Sequence, residues 1–435
     1  MKWATVLGKH LGVSVHEKWN DVMKNMYLPV SNDNVTLEFD TMNSTVAIKQ
    51  ADVVLISYID DLDDALVSNF DYTQQRAYRD LLYYSEHQSS QGPAMTFPVF
   101  NAVTQKLNNV GCGSQTYLAK SVEPFLRFPF AQMSEQNNDD YDTNGGTHPA
   151  FPFLTGHGGI LQSYLYGLTG LRFSYNVSED GSINRILDFD PTDLPLLEGD
   201  LHIYDFKYLN QSLDISIGSV NATIYHKGDS PITIFVSDRN PESGYYVVQP
   251  GSYLNIPVFI TEDNFEDSIT ECAASPYQIS EGMHGDVVES IIDGDNSTKW
   301  QAENKDVLAR VVVDLNSFES ISKGHIVWGT RPAARFSVSL IEDVEFIDET
   351  YISNLYLSEN STQFNITTVL DKQQVDISSP FDPSTVEVKV YPANYTLFDF
   401  GASFTARYVI LDIEGVLDKD ESKSGGQVAE LALFA

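Results

Sequence analysis

The stretch Thr147-His-Pro-Ala-Phe-Pro-Phe-Leu-Thr-Gly-His-Gly-Gly-Ile-Leu-Gln162 constrains the fold more than any other part of this sequence. It contains two prolines, three glycines, two histidines and two phenylalanines, and it leads into an apolar segment. So many glycines and prolines together indicate a turn that holds one particular backbone shape. We therefore predict a specific turn followed by a helix that begins near Gly158 and ends by Leu168.

The first part of the chain, residues 1 to about 170, is predicted to be mainly helical. Apolar residues recur with a period near 3.6, and no strand-like alternation competes with it. The predicted helices cover Trp3–Leu11, Ala77–Ser85, Pro93–Leu107, Tyr117–Met133 and Gly158–Leu168, with a core-facing helical stretch at Val53–Ile56. Pairs of long helices with irregular connections favour a helical barrel or toroid.

After Leu171 the pattern changes to short runs of Ile, Val, Tyr and Phe separated by turns, which predicts antiparallel strands. The first group of strands is Leu201–Tyr208, Leu213–Ile217, Ala222–His226, Ile232–Val236, Tyr245–Val248 and Ser252–Val258. A polar stretch, Thr261–Ser275, is predicted to be a linker. The second group is Ala309–Leu315, His325–Trp328, Arg335–Ile341, Val386–Val390 and Ala406–Ile413.

The composition limits the classes of partner. A chain of 435 residues is long enough for two or three domains, and 42% hydrophobic residues can form real cores. The net charge of −35 argues against nucleic acid and anionic membranes, which require basic patches. No run of 18 apolar residues occurs, so no membrane span is predicted. The charge suits a protein that works in an acidic compartment.

Cysteines and glycosylation sequons point to the secretory pathway. Cys112 and Cys272 allow one disulfide. There are nine Asn-x-Ser/Thr sequons, at Asn34, Asn43, Asn176, Asn210, Asn221, Asn296, Asn360, Asn365 and Asn394. The sequence around Met1 nevertheless lacks an apolar core followed by a cleavage site. Secreted character without a signal peptide suggests a fragment of a longer glycoprotein.

Several polar residues are candidates for chemistry. Glu86 lies where a helix runs into a Gly-Pro turn among aromatic residues, so it either activates a water molecule or is a solvated helix-end carboxylate. Lys49 and Gln50 either hold sugar hydroxyls or form a surface pair. His157 and His148 either contact a sugar or pack the turn, since no third ligand has the spacing that zinc requires.

No cofactor and no metal is predicted. Asp293-Gly-Asp-Asn-Ser-Thr298 superficially suggests a calcium loop, but it lacks the Glu at position twelve of an EF-hand.

Four strings in combination resemble glycoside hydrolase family 65, and most of all its fungal acid trehalases. They are Lys49-Gln-Ala-Asp-Val53, Gly92-Pro-Ala-Met-Thr-Phe-Pro98, Phe151-Pro-Phe-Leu-Thr-Gly-His-Gly-Gly159 and Tyr166-Gly-Leu-Thr-Gly-Leu-Arg172. The resemblance covers about residues 1–260. It implies an (α/α)6 barrel followed by a small β domain, and cleavage of α-glucosides with inversion. Gln88–Met95 resembles the hydrolase branch of the family rather than its phosphorylases.

The resemblance also implies roles for individual residues. Glu86 would be the general base, Lys49 and Gln50 would hold glucose in the first subsite, and His157 would contact substrate. Relatives carry the general acid upstream of the Lys-Gln motif, and the residues that precede Lys49 contain no match to it. We therefore expect this chain to be inactive by itself.

Residues 275–435 resemble a discoidin (coagulation factor type C) domain. The matching strings are Ile291–Trp300, Arg310–Leu315, Ala406–Leu411 and Val428–Leu433. Such domains are eight-stranded jelly rolls, and many bind carbohydrate through loops at one end. The alternative is a purely structural role, in which Trp300 packs inside the sandwich and the Asp293–Thr298 turn shapes a loop.

The expected fold class is therefore multidomain α + β. The predicted domains are the C-terminal part of an (α/α)6 barrel over 1–170, a small antiparallel β domain over 171–262 and a discoidin-like jelly roll over 275–435. The leading function is hydrolysis of α,α-trehalose to two glucoses, outside the cell, in the cell wall or periplasmic space, or in the vacuole. The alternatives are a non-catalytic carbohydrate-binding or cell-surface protein, and a family 65 glucosidase for another α-glucoside.

Overall fold

The computed structural model describes the chain from residue 2 to residue 435 with gaps. The described residues are 2–50, 52–58, 70–89, 91–178, 182–197, 199–342, 344, 346–352, 355, 364–377, 381–382, 384–417 and 422–435. The sequon at Asn360 lies outside them. Together they form a multidomain structure in which a helical region is followed by β sheets, as predicted.

Among the described residues before position 170, six α-helices have defined bounds. They are α1 (Lys2–His10), α2 (Lys18–Asn25), α3 (Gln74–Glu86), α4 (Thr96–Leu107), α5 (Gly113–Val122) and α6 (Leu154–Gln162). A short 3-10 turn covers Val54–Ser57, and a π-helical turn, Ser163–Leu168, continues α6. Helices α3, α4 and α5 pack around a shared core that includes Leu81, Phe100 and Tyr117. None of the described helices combines the length and apolar character needed to cross a bilayer.

The opening motif forms a helix earlier than predicted, because α6 begins at Leu154 instead of near Gly158. Its glycines therefore lie within the helix and allow close packing. A Cβ at Gly156 would lie 3.1 Å from the Cε of Met133, and a Cβ at Gly159 would lie 2.8 Å from the Cγ of Pro98. These close approaches explain why α6 has glycine at its buried positions, although glycine lowers the intrinsic propensity to form a helix.

The predicted helix Tyr117–Met133 is wrong in its second half. Helix α5 ends at Val122, and a small hairpin pairs Leu126–Arg127 (β1) with Gln132–Met133 (β2). Pro124 and Pro129 account for the difference, because proline has no amide hydrogen to donate and clashes with the preceding helical turn. The helix predicted from Pro93 begins three residues later, at Thr96.

Two four-stranded sheets follow the helices and pack face to face. One sheet has the order β10–β7–β6–β5 and the other the order β3–β4–β8–β9. The strands are β3 (Arg172–Val177), β4 (Ile183–Phe189), β5 (Leu201–Tyr208), β6 (Gln211–Ile217), β7 (Asn221–His226), β8 (Ile232–Val236), β9 (Gly244–Val248) and β10 (Tyr253–Pro257). Their apolar faces form one core, which also reaches Leu118 of α5.

The prediction of a purely antiparallel region is wrong at one pair of strands, because β4 and β8 run parallel. Strands β3 and β4 were also missed, although they lie in the predicted β region.

The last block forms a seven-stranded antiparallel sheet. Its strands are β11 (Ser275–Gln278), β12 (Trp300–Gln301), β13 (Ala309–Trp328), β14 (Arg335–Ile341), β15 (Ile366–Gln374), β16 (Asn394–Glu414) and β17 (Gln427–Phe434). Register shifts divide the long β13–β16 ribbon into two halves, and β14 pairs with one half and β17 with the other. The sheet encloses a core that contains Trp300, which is 1% exposed, so the prediction that this tryptophan packs inside the block is confirmed.

The predicted strand Val386–Val390 is wrong. The segment has no sheet partner because its backbone bonds to the start of the chain. The Ser44 amide donates to the Val386 carbonyl (3.1 Å), and the Val390 amide donates to Asp33 Oδ2 (2.8 Å). Val388 is buried among the helices. This excursion ties the C-terminal sheet to the N-terminal region.

Candidate active site

Glu86 is the last residue of helix α3. The helix is capped at its start by Thr73, whose hydroxyl oxygen accepts from the Arg76 amide (3.3 Å). At its end, the His87 amide donates to the Tyr83 carbonyl (3.1 Å), and the His87 ring stacks on the Tyr83 ring with centroids 4.0 Å apart. Burial lowers the pKa of His87, so this ring favours the neutral form. The stacked pair fixes the backbone that carries Glu86.

The segment that carries Lys49 and Gln50 lies beside the residues that follow Glu86. Ile48 and Gln88 form a parallel bridge, and the Ser89 amide donates to the Ile48 carbonyl (2.6 Å). The Gln88 side-chain amide donates to the carbonyls of Ile48 and Lys49, both at 3.0 Å. Lys49 and Gln50 themselves are exposed. The structure therefore brings the backbone of these two predicted elements together, although they are separated by 35 intervening residues in the sequence.

Two residues of the C-terminal block, one just before β12 and one just after β13, hold the Glu86 carboxylate. Lys299 forms an ion pair with Glu86 Oε2, and the Thr330 hydroxyl donates to Glu86 Oε1 (2.5 Å). The side chains of Lys299 and Glu86 are 15% and 26% exposed, so the pair is largely shielded from solvent. Burial lowers the pKa of Lys299 to about 7, and the lysine is therefore cationic in acidic solution.

Glu86 and Lys299 line two adjoining cavities between the helices and the C-terminal sheet. The larger cavity, about 310 Å³, has aromatic walls from Tyr83, Trp328, Phe381, Tyr391 and Tyr395. The smaller cavity, about 150 Å³, has many polar side chains in its wall, among them Gln88, Ser89, Lys120, Asn137, Asp286 and Gln301. Aromatic faces combined with a few convergent polar groups suit a small polyhydroxylated ligand.

The two histidines of the opening motif are placed elsewhere. The Met133 amide donates to His157 Nε2 (3.2 Å), and His148 stacks on Tyr141 with centroids 4.7 Å apart. His157, Lys49 and Gln50 are not among the residues that line either cavity. Within the described ranges, no group of three His, Cys, Asp or Glu residues is arranged to hold a metal ion.

Lys299 reaches Glu86 because the Asp293–Thr298 turn docks on the helical region. The Cys112 amide donates to the Asp293 carbonyl (2.7 Å), and the Tyr117 hydroxyl donates to the Ser297 carbonyl (3.0 Å). A Cβ at Gly113 would lie 2.4 Å from Asp295 Oδ2, so glycine permits the close approach. The turn that superficially resembled a calcium loop is therefore a docking element in this structure.

The docking turn has a disulfide and buried carboxyl groups around it. Cys112, which caps the start of α5, is bonded to Cys272, so the disulfide that the sequence allows links this helix covalently to the start of the C-terminal block. Burial and the neighbouring Asp295 carboxyl raise the pKa of Asp293. Burial and Asp293 likewise raise the pKa of Glu430, whose Oε2 accepts from the Gly294 amide (2.7 Å).

Because the pKa values of these carboxyl groups are raised by folding, we expect the stability of the protein to fall as pH rises. A carboxyl group whose pKa is higher in the folded than in the unfolded state binds extra protons on folding, so its stabilising effect is present in acid and lost above its folded pKa. We expect Glu430→Gln, which keeps an acceptor for Gly294, to raise the melting temperature at pH 7 and to leave it nearly unchanged at pH 4. Thermal unfolding at both pH values tests this, with the exposed Glu303→Gln as the control. An equal shift at both pH values would contradict the prediction.

The fold and the cleft together define a multidomain protein with a shielded carboxylate beside an aromatic pocket. No family model matches the chain. Over its whole length, however, it is 38% identical to the cell wall acid trehalase of Candida albicans, aligned over 461 residues and covering 42% of that protein. It is also 38% identical to the periplasmic/secreted acid trehalase of Candida glabrata, over 525 residues, again with 100% of this chain and 42% of the relative.

These similarities relate the chain to the fungal acid trehalases, and the chain spans less than half the length of these curated relatives. Among solved structures, a chitosan-binding module of a chitosanase/glucanase from Paenibacillus sp. IK-5 aligns with 39% of this chain and 98% of the module. That match has 15% identity and a TM-score of 0.25, which is too low to support a structural argument.

Proposed function

We propose that this chain forms part of an inverting glycoside hydrolase that cleaves α,α-trehalose into two glucoses. The observation that carries the proposal is the Glu86 carboxylate, which lies in a shielded cleft beside the Lys49–Gln50 segment. The similarity to acid trehalases over the whole chain supports the choice of substrate. The names of those relatives support an extracellular location, in the cell wall or periplasmic space.

In this proposal Glu86 is the general base. It takes a proton from the water that attacks one anomeric carbon, while a general acid protonates the bridging oxygen from the opposite side. Inverting enzymes place the two carboxyl groups about 6.5–9.5 Å apart to leave room for the water. We propose that the acid is supplied from the part of the relatives that this chain does not match. Lys49 and Gln50 would hold glucose hydroxyls at the rim next to Gln88.

The finer architecture is also a proposal. The helices of residues 1–170 would form the C-terminal part of an (α/α)6 barrel, residues 171–262 a small β domain and residues 275–435 a discoidin-like sandwich. The face-to-face packing of the two four-stranded sheets and the bent β13–β16 ribbon support the last two units. His157 would act on the substrate only indirectly, by packing the turn against Met133.

A substrate panel tests the choice of sugar. The protein, extended upstream to the length of its relatives, is incubated at about pH 4–5 with trehalose, kojibiose and maltose, and glucose is measured. We expect kcat/KM for trehalose to exceed the values for the other two disaccharides by at least about tenfold, which corresponds to about 1.4 kcal/mol of preferential transition-state binding. A preference for kojibiose or maltose would assign the site to another α-glucoside, and no glucose from any of them would favour a non-catalytic binding protein.

A further inference from the structure

Within the part of the chain that the structure describes, the polar side-chain contacts to the carboxylate of the proposed base come from the C-terminal block and not from the helical region. Lys299 pairs with one oxygen and Thr330 donates to the other. These residues follow Glu86 by 213 and 244 positions in the sequence. We propose that Lys299 and Thr330 are positioning residues for Glu86, so that the C-terminal sandwich completes the hydrolytic site. This inference rests on the proposed role of Glu86.

The backbone around Lys299 is fixed on both sides. The Thr298 hydroxyl donates to Asp293 Oδ2 (2.7 Å), and the indole N–H of Trp300 donates to Gln278 Oε1 (2.8 Å). Thr298 and Trp300 are each 1% exposed. Ordering a lysine costs conformational entropy of both backbone and side chain. Because the neighbours already fix the backbone of Lys299, forming the ion pair orders only its side chain. Lys299 is therefore presented to Glu86 by a rigid segment.

Thr330 is fixed in a comparable way. The Arg331 amide donates to Gln427 Oε1 (2.9 Å), and a Cβ at Gly329 would lie 2.6 Å from the same oxygen. The loop after β13 is thereby packed against β17. Because the backbone of Thr330 is fixed, its hydroxyl donates from a defined position, and such a donor can orient a carboxylate.

The contacts leave the carboxylate able to act as a base. A carboxylate offers about four lone-pair positions, so one ion pair and one hydrogen bond leave room for a water molecule. The other charged or titratable groups that line the two cavities are His87, Lys389, Lys120, His284 and Asp286, with Tyr83, Tyr117, Tyr391 and Tyr395 as phenols. Lys120 is engaged with Asp286 (3.1 Å). Lys299 is thus the lysine of these cavities that pairs with Glu86, and it is cationic below about pH 7.

The first test uses kinetics in the upstream-extended protein. We expect Lys299→Met to lower kcat for trehalose roughly 100-fold, which is within the usual contribution of acid–base groups, with less than about threefold change in KM. Lys299→Arg should recover part of kcat. Because arginine stays cationic, it should also extend activity to higher pH than the wild type. Lys372→Met, which removes an exposed lysine near Glu414 on the same sandwich, is the matched control and should be neutral.

The second test does not require activity. In thermal and chemical unfolding of the 435-residue chain, Glu86→Gln and Lys299→Met should each raise the unfolding equilibrium constant, by roughly 10- to 100-fold, because each leaves a partly buried charge without its counter-ion. The free energy of unfolding should fall no further in the double variant than in the less stable of the two single variants.

The outcomes separate this inference from the proposed function. Additive single effects would show that no pair exists and would overturn the inference, whatever the activity. If the two substitutions are coupled in unfolding but Lys299→Met leaves kcat unchanged, the ion pair only stabilises the fold. That result would overturn the positioning role. Coupling together with a wild-type protein that hydrolyses no α-glucoside would instead overturn the proposed function and, with it, the catalytic sense of the pair.

Discussion

Replacing Glu86 with glutamine should lower kcat for trehalose by about 10²–10⁴-fold, because the amide cannot take a proton from the attacking water. The change keeps the size of the side chain and an acceptor for Thr330, so KM should change little. Steady-state kinetics of the upstream-extended protein at pH 4–5 measures both constants. Since kcat and kcat/KM should fall together, the loss would be assigned to the transition state rather than to substrate binding.

Two variants control this measurement. Glu303→Gln removes an exposed carboxylate of the same chain and should retain full turnover. Glu86→Asp keeps a carboxylate but withdraws it by one methylene, so it should be impaired but more active than the glutamine variant. Near-normal turnover in Glu86→Gln would remove Glu86 from the mechanism.

Removing the disulfide should cause the largest loss of stability. The bond joins residues 160 positions apart, and it connects α5 to the segment that enters the C-terminal sheet. Closing a long loop restricts the unfolded chain, so the double variant Cys112→Ser/Cys272→Ser should lose about 2–5 kcal/mol in the free energy of unfolding. Denaturant unfolding at pH 5 measures this quantity.

Reduction provides the matching control. A thiol reductant should lower the midpoint of the wild type towards that of the serine variant, and it should leave the variant itself unchanged. Because Cys112 also donates its amide to the docking turn, the variant should loosen the segment that carries Lys299. A wild-type midpoint that does not respond to complete reduction would show that the covalent link contributes nothing to stability.

Sequence patterns predicted the strands well where alternation was regular. Strands Leu201–Tyr208, Ile232–Val236 and Arg335–Ile341 have the predicted bounds, and in Ile232–Val236 every second residue is buried. The helix predicted over Tyr117–Met133 failed because the apolar periodicity continues through Pro124 and Pro129. Val386–Val390 failed for a different reason: its backbone partners, Asp33 and Ser44, are more than 300 residues away, and no local pattern reveals them.

The site was only partly accessible to sequence analysis. Glu86 and the Lys49–Gln50 segment were predicted from their motifs, and the bridge between Ile48 and Gln88 brings them together. The role of these residues remains a prediction. Lys299 and Thr330 were missed because nothing in the sequence shows that the Asp293–Thr298 turn docks on α5. The flanking glycines of Cys112 were a weak signal of such close packing.

Proton NMR during the digestion of trehalose tests directly whether Glu86 is the base of an inverting hydrolysis, with wild type and Glu86→Gln compared in the upstream-extended protein at about pH 4–5. Inversion turns the attacked sugar into β-glucose and releases the other as α-glucose. We expect equal early amounts of the two anomers from the wild type and a rate at least about 100-fold lower from Glu86→Gln. Early release of α-glucose alone, or an unchanged rate in Glu86→Gln, would contradict this expectation.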